Sequence, residues 1–454
     1  MSQFLIHTQA PDGSQHRFIY DSAESTLTTQ SGKPVVPFMV SSSASKAIIV
    51  SRDVPVGKSR TPKTLKISLG LSCNYECSYC SQRFVPHADE TNKSDVQPFL
   101  DGLDEWVKEP PDCVEFWGGE PLVYWKTLKP LAEALRNKWS KVPFQIITNG
   151  SLLTPEISLW LDDIGFQVGL SHDGPGYHAR GVDPLDDPEK RANILDLWLR
   201  LRPKGRMSIN AMLHKDNLSR AAVQEFLTGV FGEEVGIGEG SFIDPYDEGG
   251  LASSLLSDDK HIEFRRIAFN DLRQGFASKF HIAGGKIQDF IHSLRTRRPL
   301  TSIGQKCAMD NTENIAVDLK GNVLTCQNVS ATSIAPNGES HKIGHVSEFD
   351  NIELKTSTHW SRRDECPTCP VIQLCKGSCM FLEGPLWEAG CNNAYSDNIA
   401  FFAAAIEFLT GCVPVYIDGP QRDDRKDIFG LLRMDQAKPS ESQPKPFPIR
   451  VVTA

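Results

Sequence analysis

The sequence contains no apolar run approaching the ~20 residues that a membrane-spanning helix needs. Its first residues, MSQFLIHTQAPDGSQ, lack the basic start, the apolar stretch and the small-residue cleavage site of a secretory signal. Basic charge is not in excess either: 48 Lys and Arg stand against 57 Asp and Glu, a formal net charge of −9. Broad binding to a phosphate backbone needs a concentrated basic surface, so nucleic acid is not an expected partner. Internal repeats are also missing. These absences predict a cytoplasmic globular protein, and 454 residues suffice for two or three domains, each with its own core.

Cysteine, by contrast, is plentiful, with twelve in the chain. In a reducing compartment, clustered cysteines more often bind metal or react than form structural disulfides. Three lie between Cys73 and Cys80 and seven between Cys307 and Cys391. Cys113 and Cys412 stand apart and read as ordinary buried small hydrophobes.

Residues 1–60 read as a small β-rich appendage, with QFLIHT and HRFIY flanking the turn Pro11-Asp12-Gly13. From there to residue 297 short apolar runs alternate with stretches of helical spacing. LKISLGLS, CVEFW, FQIIT, FQVGLS, RMSINAML and VGIGEGSFI are the strands; PLVYWKTLKPLAEALRNKW and DPEKRANILDLWLRLR are typical of the helices. Six such units in series predict an α/β protein with a parallel sheet, a partial (β/α)6 barrel, whose chemistry gathers at the C-terminal ends of the strands. Residues 298–411 hold the second cysteine cluster with little periodicity before an apolar helix at Asn398–Leu409. Residues 412–454 read as a polar, Pro-rich tail.

Directly after the first barrel strand, Cys73, Cys77 and Cys80 are spaced C-x3-C-x2-C. Three thiolates on one tight loop can hold three irons of a [4Fe–4S] cube, leaving the fourth open to a small molecule. The same spacing suits one face of a buried helix, or zinc. Structural zinc, however, wants a fourth ligand nearby, and no His or Cys follows closely.

With Tyr79 before its last cysteine, the motif resembles the signature of the radical S-adenosylmethionine (SAM) superfamily. The resemblance implies a cluster on Cys73, Cys77 and Cys80 whose open iron SAM chelates. Gly118, Gly119, Glu120 and Pro121 look like the family's GGEP motif, which implies contact with the amino group of the SAM methionine. Asn149, Ser171 and Asp173 resemble positions that contact SAM or shape its pocket, and Gly236-Ile237-Gly238 would form an adenine shelf. Each of these also suits an ordinary strand-ending turn; jointly they carry the resemblance. In the family, one electron passes from the cluster to SAM, and the resulting 5′-deoxyadenosyl radical takes a hydrogen from the substrate.

The later cysteines run Cys307-x13-Gly321-x4-Cys326, Cys366-x2-Cys369-x5-Cys375-x3-Cys379, then Cys391. This resembles the SPASM domain of peptide-modifying radical SAM enzymes, with a zinc ribbon as the alternative for the CPTC segment. The resemblance implies two auxiliary [4Fe–4S] clusters, one on Cys366, Cys369, Cys375 and Cys391 and the other on Cys307, Cys326 and Cys379, the latter short of a fourth ligand. Sulfatase-maturing relatives carry a basic Asp directly after the equivalent of Cys326. Here the residue is Gln327, which counts against formylglycine formation. A base, if one is needed, could be Asp310 or Asp318, although such carboxylates are more often solvated surface groups.

The family analogy implies an oxidoreductase that matures a ribosomally made precursor peptide (RiPP) by forming a C–C or thioether crosslink. It would be served by a reductant such as flavodoxin or ferredoxin. Many relatives bind a leader peptide through an N-terminal winged helix. Residues 1–60 are too short and strand-rich for one, but their β edges could pair with an extended peptide. The alternatives are a dehydrogenase acting on a small molecule or a folded-protein residue, and a non-enzymatic electron-transfer protein, in which intact SAM motifs would be superfluous.

Overall fold

The computed structural model describes residues 2–39, 46–87, 91–275, 281–336, 338–355 and 358–431. Six parallel strands stand side by side in chain order: β4 (Thr64–Ser68), β5 (Cys113–Trp117), β6 (Phe144–Thr148), β7 (Phe166–Ser171), β8 (Met207–Asn210) and β9 (Ile237–Glu239). Helices α1 (Val96–Trp106), α2 (Trp125–Lys138), α3 (Pro155–Ile164), α4 (Pro188–Leu201) and α5 (Arg220–Phe231) make the crossovers. This is the expected partial barrel, and its six strands are the six apolar runs of the sequence. Alternate residues of the strands point inward, and Phe116, Phe144 and Phe166 meet there with ring centroids 5.4–5.8 Å apart.

The helices follow their sequence signals. In α1, Val96, Phe99, Leu103 and Trp106 form one buried stripe at helical spacing. In α3, the Thr154 side chain caps the first turn, Pro155 opens it, and Gly165, at φ 84°, closes it in the left-handed conformation.

Beyond the barrel come α6 (Glu248–Ala252), α7 (Asp258–Gly275) and α8 (His281–Thr296). The region expected to be irregular then adds three strands: β10 (Asn314–Asp318), parallel to β4, then β11 (Asn322–Leu324) and β12 (Lys342–His345), both antiparallel. The barrel sheet and the cysteine-rich region thus form one nine-stranded sheet. The short turn α9 (Ile372–Cys375) precedes α10, which spans Gly384–Thr410 and so starts well before the apolar segment read from the sequence. Its polar stretch Asn393–Asn398 is buried against the rest of the molecule, a tertiary effect that periodicity does not report.

Residues 412–454 do not all behave as a polar tail. Val413–Asp418 forms β13, which pairs antiparallel with β1 (Gln3–Gln9). With β2 (Gln15–Asp21) and β3 (Thr26–Thr29), the two ends of the described chain build a four-stranded sheet in the order β13-β1-β2-β3. The Pro/Ser/Lys-rich stretch from 432 lies outside the described residues. Among the described residues no helix is long and apolar enough to cross a membrane.

Candidate active site and cysteine centres

The turns that follow the barrel strands enclose a cleft of ≈ 1370 Å³. Cys73, Cys77, Cys80 and Tyr79 line it together with Gly118, Gly119, Glu120, Pro121, Asn149 and Ser171. Residues more than 90 positions apart in sequence are thus brought to one wall. Burial pushes the Cys77 thiol up to about 12 and also raises Cys73 and Cys80. They stay protonated at neutral pH unless a metal takes the proton's place.

The GGEP turn packs directly on the segment leading into Cys73. Gly119 N–H donates to the Gly70 carbonyl (3.0 Å) and Glu120 N–H to that of Ser72 (3.0 Å). A Cβ on Gly119 would lie 2.3 Å from the Leu71 carbonyl oxygen and 2.5 Å from that of Ser72, so only glycine allows this approach. Glu120, 2% exposed, accepts from Leu122 N–H (3.1 Å), Thr148 Oγ1 (2.8 Å) and Asn149 N–H (2.7 Å), locking the ends of β5 and β6 together. Burial still raises its carboxyl above the usual range. Asn149 Nδ2 in turn donates to Asn74 Oδ1 (2.9 Å), beside Cys73.

Asp173 lies behind the wall rather than in it. Its two oxygens accept Nε (2.9 Å) and Nη2 (3.0 Å) of Arg180, the Tyr79 hydroxyl and Met212 N–H (2.8 Å). With its acceptors engaged and no exposure, it has the geometry of an anchor that turns Arg180 and Tyr79 toward the cleft. Arg180 lines the cleft and was not singled out in the sequence, because an arginine in a loop carries no signal of burial. Gly238 packs on β8, where a Cβ would meet Ser208 and Asn210. The cleft wall after β9 comes instead from Ser241–Asp244.

Cys366, Cys369, Cys375 and Cys391 surround a second space, of ≈ 360 Å³, closed by Val371, Ile372, Trp387, Tyr395 and Arg425. Burial pushes Cys369 up to about 12 and Cys366 higher still. Trp387 Nε1 and Glu365 Oε2 are buried there without partners. Cys307, Cys326 and Cys379 form a third group, close enough for Cys326 to feel both of the others electrostatically; burial raises Cys326 to about 12 and Cys379 to about 11. The Tyr246 hydroxyl hydrogen-bonds the Cys379 thiol.

Between the cleft and this third group stands Asp244, which accepts from Ser378 Oγ (2.6 Å) and pairs with Lys306 (2.9 Å), the neighbours of Cys379 and Cys307. Asp244, Tyr246, Lys306 and Asn328 all line the cleft. Asp310 and Asp318 do not. Asp318 is spent on the N–H groups of Lys320 and Asn322 (both 2.9 Å) in the β10–β11 turn, and Asp310 accepts from Gln305 N–H (3.1 Å).

Zinc draws its ligands in to ~2.0–2.3 Å around one point. Among the described residues, no three His, Cys, Asp or Glu side chains converge to hold a single ion. Cys73, Cys77 and Cys80 border one space and Cys366, Cys369, Cys375 and Cys391 another, each a set of sulfur donors of the kind that ligates an iron–sulfur cluster.

Comparison with known proteins agrees with this geometry. Residues 67–227 match the model of the Radical SAM superfamily. The radical SAM cyclopropyl synthase TigE of Paramaledivibacter caminithermalis is 25% identical over 170 residues, 34% of this chain and 36% of that protein. The serine-type anaerobic sulfatase-maturating enzyme of Klebsiella aerogenes is 23% identical over 400 residues, 80% of this chain and 87% of that one. A solved structure of anSMEcpe with bound AdoMet shares the fold, with TM-score 0.55 at 18% identity over 77% of this chain and 98% of that one. Residues 67–227 therefore carry the radical SAM match, in a chain that shares the partial-barrel fold of anSMEcpe and has a cysteine-rich C-terminal region.

Proposed function

We propose that this enzyme oxidatively modifies a ribosomally made peptide, forming a C–C or thioether crosslink. Cys73, Cys77 and Cys80 are assigned the first cluster. Tyr79, the Gly118–Pro121 turn, Asn149, Ser171 and Arg180 are assigned the SAM pocket, with Asp173 acting through Arg180. Residues 298–411 are assigned two auxiliary clusters. The observation that carries the reading is the continuity of one cleft from the three-thiol loop to Asp244, Tyr246, Lys306 and Asn328, beside the third cysteine group. A substrate seated there would touch both. A peptide is favoured because a solved relative of the same fold, anSMEcpe, is described with bound AdoMet and a Kp18Cys peptide.

When bound, the cluster and SAM supply a 5′-deoxyadenosyl radical that removes hydrogen from carbon. The chain's own residues orient the reactants and keep water out. Arg180 presents a cation held rigid by Asp173. Asp244, on the cleft wall, is assigned the proton that leaves as the new bond forms, and the electron left behind would pass to an auxiliary cluster held by the cysteines of residues 298–411. Lys306 and Ser378 fix that carboxylate in place.

The test is co-expression with any short reading frame adjacent to the gene, followed by mass spectrometry. Loss of the mass of two hydrogens per crosslink is the expected result. Turnover of a metabolite with no peptide mass change would favour the small-molecule dehydrogenase. A second reading, oxidation of a residue in a folded protein, is favoured by the 80% coverage of the match to the sulfatase-maturating enzyme, although Gln327 stands where that chemistry uses an Asp.

A further inference from the structure

Arg425 follows β13, in the short turn Asp423–Arg425, yet is only 3% exposed. Its Nη2 donates to Cys391 Sγ (3.3 Å) and to Asn392 Oδ1 (2.9 Å), and its guanidinium lies 4.6 Å from the centroid of the Tyr395 ring. The Tyr395 hydroxyl grips the Arg425 carbonyl at 2.7 Å. Among the described residues no carboxylate pairs with it. Asp423 pairs with Lys426, while Asp424 and Glu365 pair with Arg422.

A buried guanidinium without a counter-charge is costly, and so is a buried indole N–H without an acceptor. Arg425 and Trp387, whose Nε1 has no partner, both line the four-thiol cavity. A second cation, Arg363, sits over the Trp387 ring at 4.6 Å. The two defects share one remedy, an anionic, hydrogen-bond-accepting guest. Four thiolates around an iron–sulfur core have that character.

Resting on the assignment of Cys366, Cys369, Cys375 and Cys391 as cluster ligands, we propose that Arg425 and Trp387 are positioning residues that retain this cluster and raise its reduction potential. Positive charge and N–H donors next to ligand sulfur favour the electron-rich state.

The experiment is an anaerobic redox titration of the reconstituted full-length protein, followed by electron paramagnetic resonance, with iron quantified in parallel. Arg425→Met and Trp387→Phe should each shift one cluster signal to lower potential at unchanged iron content, with Arg425→Lys falling between Arg425→Met and the wild type. Selective loss of about four irons in Arg425→Met, with circular dichroism unchanged, would equally support retention of the cluster by the guanidinium. Full iron with wild-type potentials in both Arg425→Met and Trp387→Phe would overturn the proposal. Cys366→Ala separates the two levels of the argument: if it loses no iron, the ligand assignment itself fails, whatever Arg425 does.

Discussion

The cleft and the four-thiol cavity treat charge in opposite ways. At the cleft, charged groups are paired with their opposites or saturated with donors: Asp173 with Arg180, Asp244 with Lys306, Glu120 with three donors. The cavity has a cation, Arg425, with no carboxylate paired to it among the described residues, and an indole N–H, that of Trp387, with no acceptor. A cleft that is balanced in itself can admit and release a small molecule without a change in burial cost. The cavity, where Glu365 is paired outward with Arg422 while Arg425 and the Trp387 N–H face the thiols, gains from an anionic guest that stays. The contrast separates a place for turnover from a place for storage of electrons.

Four substitutions sharpen or break that contrast. Cys77→Ala should have the largest effect, abolishing release of 5′-deoxyadenosine from SAM and dithionite, with the loss of about four irons; unchanged cleavage would remove the first cluster from this loop. Asp173→Ala should come next. It strands Arg180 and Tyr79 in the interior, and breaking a buried pair costs ~3–5 kcal/mol. Denaturant unfolding measures this, and a weaker SAM affinity at full stability would instead make Asp173 a direct cofactor contact. For Gly119→Ala, the clash with the Leu71 and Ser72 carbonyls predicts ~1–3 kcal/mol of destabilisation, read as a lower unfolding midpoint together with weakened SAM binding. Thr148→Val removes one of the three donors to Glu120 and should cost about 1 kcal/mol. A calorimetric midpoint unchanged by it would mean that the turn is held by backbone contacts alone.

Much of this was legible in the sequence because it was local. Each barrel strand is a compact apolar run, and three cysteines within eight residues form a loop whatever surrounds them. What periodicity could not convey was pairing across distance. VPVYID reads as a brief apolar interlude in a polar tail until β1 lies beside it, and the polar stretch Asn393–Asn398 gives no helical periodicity until other elements bury it within α10. The carboxylates show a subtler limit. Asp173 stood out by motif and Asp310 and Asp318 only as carboxylates near the cysteines, but the fold alone shows that Asp318 is spent on its own turn and Asp173 on Arg180, Tyr79 and Met212, while Asp244 reaches the cleft. Arg425 carried no mark at all, since its significance comes from what is absent around it.

The pairing of β1 with β13 has a consequence for biosynthesis. During vectorial synthesis, β1 emerges about four hundred residues before its outer partner β13, so one side of the β1–β2–β3 ribbon remains a bare strand edge over that interval, and such edges invite wrong partners. Arg425 follows β13 within a few residues. Closure of the sheet and capping of the four-thiol cavity are therefore nearly simultaneous events, and metal delivered before them would enter through a doorway that the β13–Arg425 segment then shuts.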